Sequence, residues 1–288
     1  AFMKNQKEKH KNKHIIVKHF SLPCLIENKK SGLFLLIGEN EKSQNIIIDE
    51  KSLYQNILIT GTIGTGKTSS AMYPFTKQLI SYNSKDSETK IGMLILDVKG
   101  NYYKKVKEFV ENENREQDLI VLELGGYYKY NPLHKPNLKA SVLANRLKTI
   151  LLLFSPNNSE SFWIDKCEQV LTECIKLCRL YNNNYVTFEE IHKLVTIDNY
   201  YLEKVKYLRE LFILNKLNRE DIYNLLTALN FFEKEYNNLD SRTKSILKSE
   251  ITRITNTFVS DYKVHSTFCP NENELNFFSF EDVVNSGK

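Results

Sequence analysis

The residues Gly61-Thr62-Ile63-Gly64-Thr65-Gly66-Lys67-Thr68, followed by Ser69, carry the spacing G-x-x-x-x-G-K-[ST] between an apolar run, Ile57-Leu58-Ile59, and an amphipathic stretch. That is the P-loop pattern in the strand, turn and helix context it requires. Glycines let the backbone curl until successive N–H groups face inward as an anion nest, and the following helix adds about half a positive charge at its N-terminus. Gly61, Thr62, Ile63, Gly64, Thr65, Gly66, Lys67, Thr68 and Ser69 are therefore the candidate nucleotide-binding residues. Lys67 is the expected catalytic cation, directed at the outer phosphates, and the Thr68 hydroxyl is the expected magnesium ligand.

Hydrolysis also needs a carboxylate at the end of a neighbouring strand. Asp97, closing the run Met93-Leu-Ile-Leu-Asp97, is expected at the same sheet edge as the phosphates, meeting magnesium through water. Asp49 and Glu50 end Ile46-Ile-Ile-Asp-Glu50 but precede the loop by one strand, which reads as a surface turn; Glu123, followed by Leu-Gly-Gly, reads as structural. Asp97-Val-Lys-Gly100 also fits the DxxG pattern of GTPases. The nearest guanine reader, Asn215-Lys-Leu-Asn218, ends in an amide and lacks the carboxylate that recognises the guanine edge. A nucleotide kinase would add an arginine-rich lid segment, which the sequence does not show. The lack of a guanine reader favours ATP; the alternative functions to a nucleotide-driven motor are another P-loop enzyme such as a nucleotide kinase or GTPase, or a helical binding module with a vestigial nucleotide site.

The elements that would position these groups follow from periodicity. Short apolar runs alternate with turn signals from Ile15 to Gly61 and read as strands. After the loop, Met72, Phe75, Leu79 and Ile80 recur at helical spacing, with Pro74 early enough to be tolerated. Ile91 to Val98, a helical Tyr102 to Asn112, and Asp118 to Leu124 continue the alternation. Strand, helix, strand, helix, strand predicts an α/β fold with a parallel sheet, since unbroken apolar runs are what strands covered on both faces require. Beyond Asn131-Pro132-Leu133 the stripes become helical, and Thr187-Phe-Glu-Glu190 spells a capping box. The expected organisation is a basic tail at 1–14, a nucleotide-binding domain at 15–136, an all-helical domain at 137–268, and a return to the first domain at 269–288.

At 288 residues the chain lies where single cores divide, and a hydrophobic content of 41% is that of a folded protein. The formal net charge of +5 is compatible with nucleic acid or an anionic membrane surface and demands neither. Much of the excess lies between Met3 and His14, as an unfolded basic tail or a juxtamembrane segment. No run of 18 apolar residues occurs, so no span is expected. The five cysteines form no CxxC pair; Cys167, Cys174 and Cys178 share one helical stripe and should face a core, as fits a reducing cytoplasm.

With those residues in view, the chain resembles the coupling-protein ATPases of conjugative type IV secretion, the TraG/TraD-like family within the HerA/FtsK group. The carriers are the loop GTIGTGKT; Asp97-Val-Lys-Gly100, where the family commonly has D-P-K-G; Asn131-Pro-Leu133; and Phe162-Trp163 with Asp165 behind it. Leu239 to Ile254, then Phe268-Cys-Pro270 and Phe280 to Lys288, complete the order. The resemblance implies a RecA-like P-loop NTPase domain, its sheet mainly parallel, with an inserted all-α domain. It implies a homo-hexamer at the cytoplasmic face of the bacterial plasma membrane, anchored outside this chain, binding ATP and magnesium and moving relaxase-bound single-stranded DNA towards the secretion channel. In that family the aspartate-glutamate pair that activates water follows the helical insert. The chain is thus expected to bind nucleotide but not to turn it over alone. The family also implies that the helical domain recognises the relaxosome or the DNA end. Arg242 and Arg253 are candidates for an arginine finger serving a neighbouring subunit, with a surface role the expected one for each, and Trp163 is expected in the core.

Overall fold

The structure, a computed structural model, describes residues 32–154 and 161–288. The basic tail at 1–14, the strands expected within 15–28, and Cys24 lie outside the described residues. Two compact units are present. One comprises the described residues up to Ile120 together with Ser279–Lys288, and the other is Val121–Phe278.

In the first unit, β1 (Phe34–Glu39) and β2 (Asn45–Asp49) form an antiparallel hairpin. Its turn is built by the Asn40 side chain, which accepts the amides of Lys42 at 2.9 Å and Gln44 at 3.0 Å, while Ser43 takes a left-handed φ of 58°. A short α1 (Glu50–Leu53) follows, capped by Asp49. The segment after the glycine loop is helical throughout, beginning as a wide π-turn at Thr68–Met72 and continuing as α2 (Tyr73–Ser81). Ile80 of α2 packs against Tyr102, Val106, Phe109 and Val110 of α3 (Tyr102–Asn112), the i, i+4, i+7 and i+8 spacing of one helical face. Gln78, only 6% exposed, turns its amide onto β1: Oε1 accepts the Leu36 N–H at 2.7 Å and Nε2 donates to the Leu36 carbonyl at 3.1 Å.

A buried guanidinium joins the remaining parts of this unit. Arg115, 3% exposed, donates to Asp118 at 2.9 Å, to the Ile80 carbonyl at 2.8 Å and to the Gly287 carbonyl at 2.6 Å, with a longer contact to Ile91 at 3.2 Å. Lys90 completes the group, its Nζ lying 2.8 Å from both Asp118 oxygens. Gly92 lies beneath the carbonyl of Val284 in the last helix of this unit (Phe280–Asn285); a Cβ there would come within 1.9 Å of that oxygen, so only glycine fits.

The expected RecA-like α/β fold, a mainly parallel sheet with an inserted all-α domain, is corrected. The chain is mostly helical, at 57%, and its only sheet among the described residues is the antiparallel β1–β2 pair. The runs at 56–60, 91–97 and 119–123 belong to no strand, although one amide, that of Met93, reaches the Lys288 carbonyl at 2.8 Å. Strands sandwiched in a parallel sheet are buried on both faces, whereas Leu58 is 86% and Leu96 84% exposed. Apolar composition sets what a segment would gain from burial; it does not supply the hydrogen-bonded neighbours that make it a strand.

The second unit is helical: α4 (Ala140–Phe154), α5 (Ser161–Tyr181), α6 (Phe188–Thr196), α7 (Tyr201–Ile213), α8 (Arg219–Asn230), α9 (Ser241–Val259) and α10 (Tyr262–Phe268). With these numbered, the helix at Phe280–Asn285 of the first unit is α11. Leu143, Leu147 and Leu151 of α4 and Cys167, Val170, Leu171, Cys174 and Cys178 of α5 enter one core, which α6 and α9 close with Ile191, Leu247 and Ile251. The three α5 thiols are free and buried; burial pushes Cys167 and Cys178 up to about 12 and raises Cys174 well above the ordinary thiol value. Among the described residues no helix is long and apolar enough to cross a membrane.

Candidate functional site

The loop at 61–68 is shaped by two left-handed glycines, Gly64 at φ 83° and Gly66 at φ 80°. An L-residue costs about 1–2 kcal/mol in that conformation, so the glycine spacing of the motif has a direct backbone cause here. Thr65 braces the turn, its hydroxyl donating to the Thr62 carbonyl at 2.9 Å. The Gly66 carbonyl starts the helix by accepting the Ser70 amide at 2.7 Å. Lys67 folds back across the mouth of the loop, its ammonium donating to the carbonyls of Gly61 at 2.6 Å and Thr62 at 2.8 Å. The amides of Gly64, Gly66, Lys67 and Thr68 meet no acceptor among the described residues, and Thr68 and Ser69 are exposed.

Chemically, this is a loop with outward-available donors at the start of a continuous helix, and an ammonium held by two carbonyls that an anion could replace. Donors without acceptors at a helix N-terminus favour an anion, and exposure leaves room for a polyphosphate. The donor set and the Thr68 hydroxyl, which has no partner among the described residues, fit ATP and magnesium. No group of three or more His, Cys, Asp or Glu side chains is placed to hold a metal by itself among the described residues.

Asp97 is engaged elsewhere. Its Oδ1 accepts the Gly100 amide at 3.0 Å, and its Oδ2 accepts those of Tyr102 at 2.7 Å and Tyr103 at 3.2 Å, so it closes the first turn of α3. No hydrogen bond or ion pair joins it to the loop among the described residues. Asp49 caps α1, and the Ser52 hydroxyl and amide hold its carboxyl below the ordinary range. Glu123 is exposed on a turn in the second unit.

The other motif residues have structural places. Asn131 is buried, donating to the Val186 carbonyl at 2.9 Å and accepting the Leu133 amide at 2.9 Å, so it ties the chain before α4 to the entry of α6. Asp165 pairs with Lys148 at 2.6 Å, and Trp163 lies partly buried against the helical core. Asn218, the last residue of the stretch weighed as a guanine reader, caps α8 in a full capping box with Asp221. Arg253 pairs with Glu250 at 2.8 Å, and Arg242 is exposed at the start of α9.

Sequence reasoning missed the Arg115 group and the π-turns. Arg115 and Asp118 stand three apart, a weak signal; the carbonyls that Arg115 binds are up to 172 residues away and leave no mark in its neighbourhood. Of the two π-turns, at Thr68–Met72 and Phe231–Tyr236, the first carries a sequence signal, Pro74, four residues after the carbonyl its ring would crowd. No family model, no curated protein and no solved structure matches the chain.

Proposed function

We propose that the loop Gly61–Ser69 grips the phosphates of ATP, and that the chain is the nucleotide-binding part of a DNA-translocating ATPase of the coupling-protein kind. The observation that carries the first part is the pairing of unclaimed amides at the head of a helix with a lysine parked across the same mouth. Lys67 would leave the Gly61 and Thr62 carbonyls for the outer phosphates, exchanging neutral acceptors for charged ones, and charge-assisted bonds are roughly twice as strong. Thr68 would supply a hydroxyl to magnesium. Asp97 would approach that ion only through water, because its oxygens already accept three amides.

The wider reading rests on the order of the sequence motifs. In it the chain works as a homo-hexamer at the cytoplasmic face of a bacterial plasma membrane and passes relaxase-bound single-stranded DNA to a secretion channel. The test of the nucleotide site is Lys67→Ala. Calorimetric titration with ATP and magnesium is expected to show binding by the natural chain and none measurable by the variant, with hydrogen exchange in α2 and α3 of the same unit unchanged. Equal affinity in the two proteins would remove the loop from the function.

A further inference from the structure

The helix that leaves the phosphate loop opens on one four-residue bond, from the Ser70 amide to the Gly66 carbonyl, and then widens. Between Thr68 and Met72 its hydrogen bonds run five residues apart, ending with the Tyr73 amide on the Thr68 carbonyl, and only from Tyr73 does the chain settle into α geometry. The cause stands one residue further on. Pro74 has no N–H to give the Ser70 carbonyl, and its ring crowds that same oxygen, four residues back. The preceding turn escapes the clash by widening, which admits one extra residue into the helix, and such π-turns concentrate at functional sites.

One extra residue in a helix of 3.6 residues per turn rotates everything before it by about 100° relative to everything after it. Here the part after it is fixed. Gln78 is bound to the backbone of β1 at both ends of its amide, and Ile80, 1% exposed, is packed against α3. The rotation therefore falls on the free end, where Lys67, Thr68 and Ser69 lead into the loop. The direction in which their amides point is set by the width of the turn.

We propose that Pro74 is the positioning residue of the phosphate site: the π-turn it enforces aims the amides of Lys67, Thr68 and Ser69, and the Thr68 hydroxyl, at the bound phosphates. This rests on the reading of the loop as a nucleotide site. Replacement by alanine supplies the missing N–H, lets the Ser70 carbonyl take an α-helical bond, and collapses the turn. With Gln78 and Ile80 anchored, the head of the helix swings away from the phosphates while the rest of the unit stays as it is.

The experiment compares the natural chain with Pro74→Ala, using ATP and AMP with magnesium as ligands and hydrogen exchange across residues 66–82 as a structural readout. The variant is expected to fold with unchanged or higher thermal stability, to gain protection at residue 74, and to lose affinity for ATP at least about tenfold, which is about 1.4 kcal/mol. Affinity for AMP, which reaches fewer of these donors, should fall much less. ATP affinity equal to that of the natural chain, or an equal loss for ATP and AMP, would overturn the inference and leave the nucleotide site standing. Failure of the natural chain to bind ATP would overturn the site, and the inference with it.

Discussion

Replacement of Arg115 by methionine tests whether one buried side chain holds the first unit together. Methionine keeps the apolar stem and removes the guanidinium, so the three bonds of 2.9 Å or shorter, to Asp118, Ile80 and Gly287, disappear at once. Bonds to charged groups contribute about 1.5–3 kcal/mol each, and truncating one partner of a buried pair costs about 3–5 kcal/mol. Lys90 remains on Asp118 and keeps that carboxylate satisfied, so the loss lies in the orphaned carbonyls and the broken tie to residue 287. The expected destabilisation is about 4 kcal/mol, a large fraction of the roughly 5–15 kcal/mol that holds a domain folded. Trp163 sits in the other unit and cannot report it. Hydrogen exchange can: peptides from α2, α3 and α11 should exchange roughly a thousandfold faster, and peptides from α4 to α6 at their natural rate. Arg115→Lys keeps the charge, loses the fork, and should fall between the two. The acid dependence provides a second check. Burial works to raise the Asp118 carboxyl, but the hydrogen bonds from Lys90 and Arg115 outweigh it and hold the group below its ordinary value. That stabilisation is complete above the unfolded carboxyl value of about 4 and is lost as pH falls through the lower folded value. Removing Arg115 should move the loss to higher pH. A cost below about 1 kcal/mol, or exchange accelerated equally in both units, would refute the assignment of Arg115 as the tie.

Two further outcomes concern the helical unit. Lys204 is almost fully buried, paired with Glu190 and lying over the rings of Tyr181 at 4.3 Å and Tyr200 at 4.9 Å; Glu190→Gln strands that charge and should cost about 3 kcal/mol, largely restored by adding Lys204→Met, as read by urea unfolding through Trp163. In a Cys24→Ser background, the four buried thiols should react with an aromatic disulfide at pH 8 only as fast as the chain unfolds, because burial disfavours the thiolate at each; rapid stoichiometric labelling would contradict the packing of α5.

What the sequence discloses depends on how far the physics reaches along the chain. The α5 cysteines were legible as core because a helix repeats every 3.6 residues, and its buried stripe is written in order. The loop at 61–68 was legible because left-handed backbone demands glycine locally. The cap at Thr187 was half legible: its hydroxyl does accept the Glu190 amide, at 3.3 Å, but the Glu190 carboxylate goes to Lys204 and Tyr200 rather than back to the cap. The sheet was misread because Ile57–Ile59 and Ile91–Ile95 have strand-like composition, and pairing depends on distant neighbours that composition does not specify. Asp97 was placed at a plausible spot with its other partners unseen, since the amides it accepts belong to the helix that follows it.

The bond between Gln78 and β1 has a consequence outside the molecule. Among the described residues β1 pairs only with β2, and both backbone groups of Leu36 bond to Gln78; a bare row of such groups on an outer strand invites a foreign strand to add itself. The glutamine amide occupies the middle of that row as a mock peptide, so a chain trying to zip along it meets its donor and acceptor already taken. Substituting leucine at position 78 would uncover them, and self-association through the hairpin would be the expected cost.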